Sequence, residues 1–289
     1  MTWANAVIQG IFLGGLLALF AAGLSVLFGV MGVLNLAHGD IAVVGGYVAV
    51  ALIPALDLPT VVVFLIVIAV LMVCGYLVQR LIFQPSVESG PLTTLLVTLG
   101  LSVVIENLLL ELFSANSHSL SIGTFTSGAV RVNGQISLGY LSMAILGAAV
   151  VALVAIQLLL SRTQVGRIIR AVADDRDAAQ LIGVNYRHIF AIATAIAFGT
   201  VAMAGLSLTM YSQISPTAGP TYLIYGFEAV VIGGLGSLWG TLAGAVALGI
   251  AVTVGLEISS GFGALGPHLV FLAVLALRPQ GFFPRRLAA

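Results

Sequence analysis

The sequence predicts an all-α polytopic membrane protein of about eight transmembrane helices, with short or re-entrant broken helices and a small external β-hairpin. Hydrophobic residues make up 60% of the 289 residues and charged residues 7%, and the mean hydropathy is +1.19. Apolar runs of about twenty residues recur from end to end, and a helix needs that length to cross about 30 Å of hydrocarbon. This composition excludes a soluble fold.

The chain is predicted to form one transmembrane domain, residues 1–289. In the first span, Gly10, Gly14, Ala18 and Ala22 recur at four-residue spacing, which lets helix backbones approach closely in lipid. The predicted spans are 7–30, 40–54, 60–80, 92–113, 139–160, 189–211, a broken 225–258, and 264–278.

Charge predicts the orientation. Residues 162–188 hold five of the ten arginines, and short loops rich in Arg stay in the cytoplasm, so we expect a cytoplasmic segment here. Arg80 and Arg278 mark two further cytoplasmic points, whereas Arg131 is an exception. The uncharged N-terminus lacks the basic region of a cleaved signal peptide, and we expect it outside, with the first span retained.

Polar residues interrupt the apolar background at Asn35, His38 and Asp40. One interpretation is a turn between spans, with Asp40 capping the next helix. The other is a broken helix whose end borders a translocation route, which the short span 40–54 favours. The second half has its own glycine-interrupted element, and such a pair is typical of a pathway at a repeat interface. Its glycines are Gly233, Gly234 and Gly236.

Glu106 and Glu228 are among the carboxylates that fall within predicted spans, where a charge is costly. Glu106 lies near the outer end of its span. It is either a solvated or interhelical structural residue or part of a pathway. The candidate path residues are therefore Asn35, His38, Asp40, Glu106, Glu228, Gly233, Gly234 and Gly236.

The largest external segment is predicted at 114–138. Polar and apolar residues alternate around Asn133-Gly134, a pair that favours the type I′ turn of a β-hairpin. The hairpin is either a lid on the bundle or a landing surface for an external partner.

In the central cytoplasmic segment, the sequence predicts two short helices, 165–173 and 177–182. Asp174 and Asp175 are suited to begin the second helix, and Gly183 is suited to end it as the residue after the C-cap.

Several kinds of chemistry have no residues to carry them. All ten basic residues are arginine, so the P-loop lysine is missing and ATP hydrolysis would require another subunit. The single cysteine, Cys74, permits neither an intramolecular disulfide nor a cysteine metal cluster. Catalytic motifs are absent as well. We therefore expect no enzyme activity, no cofactor and no metal, and zero net charge gives no argument for nucleic acid.

Three motifs carry a family resemblance. They are N-L-A-H-G-D at 35–40, G-R-x-x-R-A-x-A-x-x-x-x-A-A-x-x-x-G-V-N at 166–185, and V-I-G-G-L-G-S-L-W-G-T-L-x-G-A at 231–245. The chain resembles ABC importer permeases of the branched-chain amino acid (LivH-like) family over residues 8–280. Residues 177–183 match the E-A-A-x-x-x-G loop of such permeases, with Asp177 in place of Glu and the later isoleucine, Ile192, out of register.

The resemblance implies an inner-membrane permease subunit that imports branched-chain amino acids or similar small polar solutes such as amides and urea. It implies two cytoplasmic ABC ATPase subunits, a second permease subunit that forms a heterodimer, a periplasmic or extracellular solute-binding protein, and contact with membrane lipid. The helix ending at Gly183 would be the coupling helix. The residues implied in coupling are Arg167, Arg170, Arg176, Asp177, Ala178, Ala179, Gly183 and Arg187, although for each arginine a role in topology or lipid contact is an alternative.

A different class of function is an ion-coupled secondary transporter that uses Asp40, Glu106 or Glu228. Its uptake would survive without an ATPase subunit and collapse with a protonophore. A third class, a membrane scaffold, predicts no transport.

Overall fold

A computed structural model describes residues 3–123, 126, 128–132 and 136–283. Eight helices in this part of the chain are long and apolar enough to cross a membrane, which confirms the predicted fold class. The elements in order are α1 Trp3–Met31, α2 His38–Leu56, α3 Thr60–Val78, α4 Gln84–Ser89, α5 Pro91–Phe113, β1 Ala129–Val132, β2 Ile136–Gly139, α6 Tyr140–Arg162, α7 Gln164–Asp174, α8 Arg176–Leu181, α9 Tyr186–Tyr211, α10 Gly219–Gly233, α11 Leu238–Ile258 and α12 Ser260–Leu277.

Helix α1 lies at the centre of the bundle and packs against α6, α9, α10 and α11. Its small residues permit this. A Cβ added to Gly10 would lie 2.5 Å from the Cα of Ile250, and one added to Gly14 would lie 2.5 Å from the Cα of Val246. Real Cβ atoms do not come that close, so α1 and α11 make direct backbone contact. The four-residue spacing in the first span has the packing role that the sequence predicts.

Helix α2 begins inside the bundle. The Nε2 atom of His38 lies 3.1 Å from the carbonyl oxygen of Phe20, which is eleven residues before the end of α1. Eleven helical residues rise about 16 Å, so the chain turns back alongside α1 between Met31 and His38. Residues 32–37 therefore form a re-entrant segment, which ends in a turn where the N–H of His38 donates to the carbonyl of Asn35 at 3.2 Å. The helix break therefore lies before α2, which itself is continuous.

The stretch 84–91 contains proline and glycine, from which the sequence predicts a turn. The structure contradicts this prediction, because residues 84–89 form α4, joined to α3 by a π-helical turn over Gln79–Phe83. Pro85 is tolerated because it lies in the first turn of α4, where its missing N–H is not needed. The side chains of Gln84 and Glu88 also hydrogen-bond one turn apart, at 2.7 Å. The helix ends at Gly90, whose φ is +117°.

The β-hairpin is present, with β1 and β2 antiparallel and Val132 paired with Ile136. This register leaves three residues between the strands. The type I′ turn predicted at Asn133-Gly134 falls within these three residues and stays a prediction. Asn133 and Gly134 themselves lie outside the described residues.

Helix α10, 15 residues long, also begins inside the bundle and covers about 22 Å, less than a full crossing. A turn over residues 234–237 connects it to α11, so the predicted broken element 225–258 is two helices. Helix α12 then returns to the end of the bundle that carries α7 and α8. There the backbone N–H of Phe282 donates to the carbonyl of Ile232 at 2.8 Å, and the N–H of Phe283 donates to Gly233 at 3.0 Å.

Candidate translocation site and coupling surface

The N-termini of α2 and α10 meet at Asp40 and Gly219. Asp40 is fully buried, and a Cβ added at Gly219 would overlap its Oδ1 atom. A Cβ added at Gly39 would overlap the carbonyl oxygen of Gly219. The first N–H groups of a helix lack intrahelical partners and carry the positive end of the helix dipole. A carboxylate at this junction is therefore placed where both helices favour negative charge.

Asp40 also connects this junction to α5. The Ser102 hydroxyl donates to Oδ2 of Asp40 at 2.5 Å, and Oδ1 has no hydrogen-bond partner among the described residues. Glu106, one turn further along α5, is half-buried and close enough to act electrostatically on Asp40. The interpretation of Asp40 as a helix cap is wrong, because Ala37 holds the N-cap position of α2. A helix that begins inside the bundle supports the alternative interpretation, a broken element.

His38 and Asn35 are buried beside this junction. The His38 ring contacts the α1 backbone at Phe20 and crowds Gly23, where a Cβ would lie 2.6 Å from the ring. The Oδ1 atom of Asn35 accepts from the N–H of Ala37 at 3.0 Å, which shapes the entry into α2, whereas its Nδ2 has no partner among the described residues. Packing fixes both side chains, and Nδ1 of His38 and Nδ2 of Asn35 have no hydrogen-bond partner among the described residues.

Glu228 forms a second polar site, on α10. Its Oε1 lies 2.6 Å from Nδ1 of His268 on α12, and the ring of Tyr225 stacks on the His268 ring at 5.7 Å. Glu228 is buried, but the His268 side chain is partly exposed on the bundle surface. Asp40 and Glu228 both lie on or beside α10 but have different partners. The structure therefore describes two polar sites where the sequence predicts one path.

Two of the candidate path glycines are buried in backbone packing. A Cβ at Gly233 would overlap the backbone of Gly240, and Gly234 lies against Gly281. Gly234 and Gly236 have φ values of +102° and +79°, so the turn between α10 and α11 requires them. Gly233 and Gly234 therefore have a packing role in the structure, and their place on a path stays a prediction. Gly236 does line a cavity of about 360 Å³ at the arginine-rich end.

Local capping defines α8. The Oδ1 atom of Asp175 accepts from the N–H groups of Asp177 at 2.9 Å and Ala178 at 3.0 Å. Gly183 follows the C-cap with φ +87°, and the N–H of Val184 donates to the carbonyl of Ala179 at 3.0 Å. This is the Schellman ending that Gly183 predicts. Asp175 begins the helix as expected, whereas Asp174 is the last residue of α7.

The exposed side of α8 differs from the predicted one. Ala179 is 3% exposed and packs with Ile169 and Val172 of α7, so it faces the chain's own core and cannot be a contact for a partner. Leu181 is 90% exposed and Ile182 is 78% exposed. Two large aliphatic side chains thus project at the end of a rigidly capped helix, and Ala178 is exposed beside them.

Most of the predicted coupling arginines have partners within the chain. Arg187 pairs with Glu88 of α4 at 2.8 Å, so its charge is already matched within the chain, and its role in coupling stays a prediction. Arg170 donates to the carbonyl of Leu160 at the end of α6. Arg176 lies 3.5 Å from Asp177 in an exposed pair, and Arg167 is exposed.

Several residues of these sites were not predicted. Ser102, Gly219 and Tyr225 contact Asp40 or His268 across long chain separations, for which no spacing rule exists. As a lone histidine in a span, His268 would be expected to be a packing residue, but the structure pairs it with Glu228. A signal for it was available, because a carboxylate inside a span needs a partner and few polar residues occur in the last two spans.

A model of the protein family described as "Branched-chain amino acid transport system / permease component" matches residues 6–277. The chain is 29% identical to the high-affinity branched-chain amino acid transport system permease protein BraD of Pseudomonas aeruginosa, over 98% of this chain and 96% of that one. It is 27% identical to the corresponding permease protein LivH of Escherichia coli K12, over 96% and 94%. A solved structure, PsaBC from Streptococcus pneumoniae in complex with Fab, aligns over 99% of this chain and 93% of that chain at 14% identity and a TM-score of 0.46.

Proposed function

The chain belongs to the family of branched-chain amino acid transport permease components and is a multi-pass protein of the bacterial inner membrane; on that premise, we propose that it is the permease subunit of an ATP-driven importer. Its proposed solutes are branched-chain amino acids or similar small polar molecules such as amides and urea. The full-length similarity to BraD and LivH supports this substrate class.

The exposed end of α8 is the observation that carries the proposal. Leu181 and Ile182 project from a helix that is capped at both ends, at the arginine-rich end of the bundle. Exposed aliphatic side chains on a rigid element are typical of a protein-docking site. We propose that α8 inserts into a groove on a cytoplasmic ABC ATPase, with one ATPase subunit for each permease subunit.

The composition of the chain is consistent with ATP hydrolysis by a partner subunit. The relatives are transport permeases rather than enzymes, and this chain has no lysine for a P-loop. We therefore assign ATP hydrolysis to the partner chains.

The Glu228–His268 pair supports a second permease subunit. His268 lies within α12, and its side chain is partly exposed on the surface of the isolated chain. A polar side chain at membrane depth must face protein or water, because lipid offers it no hydrogen bond. We propose that the α10–α12 face packs against a second permease subunit in a heterodimer. A separate solute-binding protein would deliver solute at the opposite end from α8.

The intramembrane carboxylates support a second candidate function, an ion-coupled secondary transporter. Asp40 has an oxygen without a partner among the described residues, and Glu106 is near it. In that case, Asp40 or Glu228 would carry the coupling ion across.

Reconstitution separates the two functions. The chain is placed in proteoliposomes with and without its ATPase subunits, second permease subunit and binding protein, and L-leucine uptake is measured. An importer requires ATP and every subunit, and a protonophore leaves its uptake intact. Uphill uptake by this chain alone that a protonophore abolishes would instead establish the secondary transporter.

A further inference from the structure

The cavity of about 360 Å³ at the arginine-rich end of the bundle has polar walls and a positive charge. Gln157 and Ser161 line it from the end of α6, and Arg170 lines it from α7. Gln157 and Ser161 are four residues apart, so their side chains lie on the same face of α6. Among the described residues that line the cavity none is acidic, and the arginine therefore gives it a net positive charge.

Hydrogen-bond donors without partners converge on this cavity. The backbone N–H groups of Leu238 and Trp239, in the first turn of α11, make no hydrogen bond to any described residue, and both residues line the cavity. Arg170 donates to the carbonyl of Leu160 from one nitrogen only, which leaves its other N–H groups for a ligand. Ser25, on the inner wall, is 1% exposed, and its hydroxyl has no partner among the described residues. Free N–H groups at the start of a helix, beside an arginine, form a binding site for an anionic oxygen group.

The mouth of the cavity lies on a surface that faces lipid. Val151, Val154 and Leu158 are exposed along α6, at spacings of three and four residues. Ser161 is three residues further on, so it continues this stripe into the cavity. Trp239 is also exposed beside the cavity, and tryptophan is enriched where the hydrocarbon meets the lipid headgroups. The stripe on α6 therefore leads from hydrocarbon to a cationic cavity at headgroup depth.

We propose that this cavity binds the phosphate of an anionic phospholipid from the leaflet at the arginine-rich end. The phosphate accepts hydrogen bonds from Arg170 and from the first N–H groups of α11, and Gln157 and Ser161 contact the rest of the headgroup. The acyl chains lie along the exposed stripe of α6. Basic pockets between transmembrane helices on the cytoplasmic side bind anionic headgroups in this way. This site does not depend on which solute the protein transports.

An acidic side chain of the ATPase is the competing occupant, because it would satisfy the same donors. The proposed docking helix α8 contributes no residue to the cavity. The aliphatic stripe from Val151 to Leu158 also runs about 10 Å along α6 toward the cavity, and a partner in the cytoplasm cannot cover a surface at hydrocarbon depth. Free phosphate would fill the cationic part of the site but leave this stripe uncovered. A phospholipid satisfies both parts, and we therefore assign the cavity to it.

The test titrates the purified full chain, freed of lipid in detergent, with phosphatidylglycerol or phosphatidylcholine. Native mass spectrometry measures the apparent Kd of the first lipid adduct. Arg170→Gln removes the charge of the cavity, and Ser161→Glu places a carboxylate at its exposed mouth. Arg167→Gln and Gln164→Glu are the matched controls, because they make the same charge changes at exposed positions of α7 that do not line the cavity.

A hydrogen bond to a charged group is worth about tenfold or more in affinity, so Arg170→Gln and Ser161→Glu should each weaken phosphatidylglycerol binding about tenfold. Both controls should leave it nearly unchanged, and the unmodified chain should bind phosphatidylcholine more weakly. Thermal unfolding without lipid checks that Ser161→Glu folds normally, as expected for an exposed position. Equal phosphatidylglycerol affinity in the cavity variants and the controls would overturn the site. Complete displacement of phosphatidylglycerol by inorganic phosphate, or by the purified ATPase subunits, would assign the cavity to that occupant and overturn the lipid site.

Discussion

Replacing Leu181 and Ile182 by serine should uncouple the chain from its ATPase. In the free chain the two side chains are 90% and 78% exposed, so they make little contribution to its own stability, and such surface changes usually shift stability by less than about 0.5 kcal/mol. Burying a Leu or Ile side chain at an interface gains about 1.5–3 kcal/mol. At the lower end of this range they together contribute about 3 kcal/mol, so the double variant should bind the ATPase roughly a hundredfold more weakly or worse.

The assay is ATPase affinity for the purified permease in detergent, measured together with ATP-driven L-leucine uptake. Leu277→Ser is the matched control, because Leu277 is 82% exposed at the end of α12, near the same end of the bundle, but does not belong to α8. ATPase affinity within threefold of the unmodified chain in the double variant would refute the docking role of α8. An equal loss in Leu277→Ser would show that the effect is not specific to this helix.

Three further changes test the capped helix and the junction of α2 and α10. Gly183→Val places valine at a left-handed backbone position, which costs about 1–2 kcal/mol. We expect lower uptake and lower stimulation of the ATPase, whereas the amount of protein inserted in the membrane should stay normal. Ser102→Ala removes the partner of the Asp40 carboxylate, a hydrogen bond of about 1.5–3 kcal/mol, so the thermal unfolding midpoint in detergent should fall; an unchanged midpoint would contradict that bond. Gly219→Ala should abolish folded protein on gel filtration because the new methyl group overlaps Asp40, whereas Gly100→Ala, where nothing lies within 4 Å, should behave like the unmodified chain.

Features that depend on neighbours in the chain could be predicted from the sequence. Asp175 and Gly183 predict the two ends of α8 because capping uses backbone groups two to four residues away. The lengths of the apolar runs predict the spans because hydropathy is likewise a property of neighbouring residues in the chain. Proline and glycine misled at 84–91, since Pro85 falls in the first turn of a helix and only Gly90 ends it.

Features that depend on packing across the bundle could not be predicted. Asp40 and Ser102 are 62 residues apart, and Glu228 and His268 are 40 apart, and no periodicity connects either pair. The burial of Ala179 follows from the angle between α7 and α8, which residue spacing does not fix. Composition also does not reveal which polar residues pair within the membrane, because one polar residue changes the average hydropathy of a span very little.

The glycine contacts between α1 and α11 restrict how the protein changes shape. Packed helices usually shift past one another by small movements of the side chains between them. Gly10 and Gly14 remove that layer, so backbone meets backbone at Ile250 and Val246. During a transport cycle these two helices should therefore travel together as one rigid body, and the opening and closing of the two ends should come from the helices arranged around it.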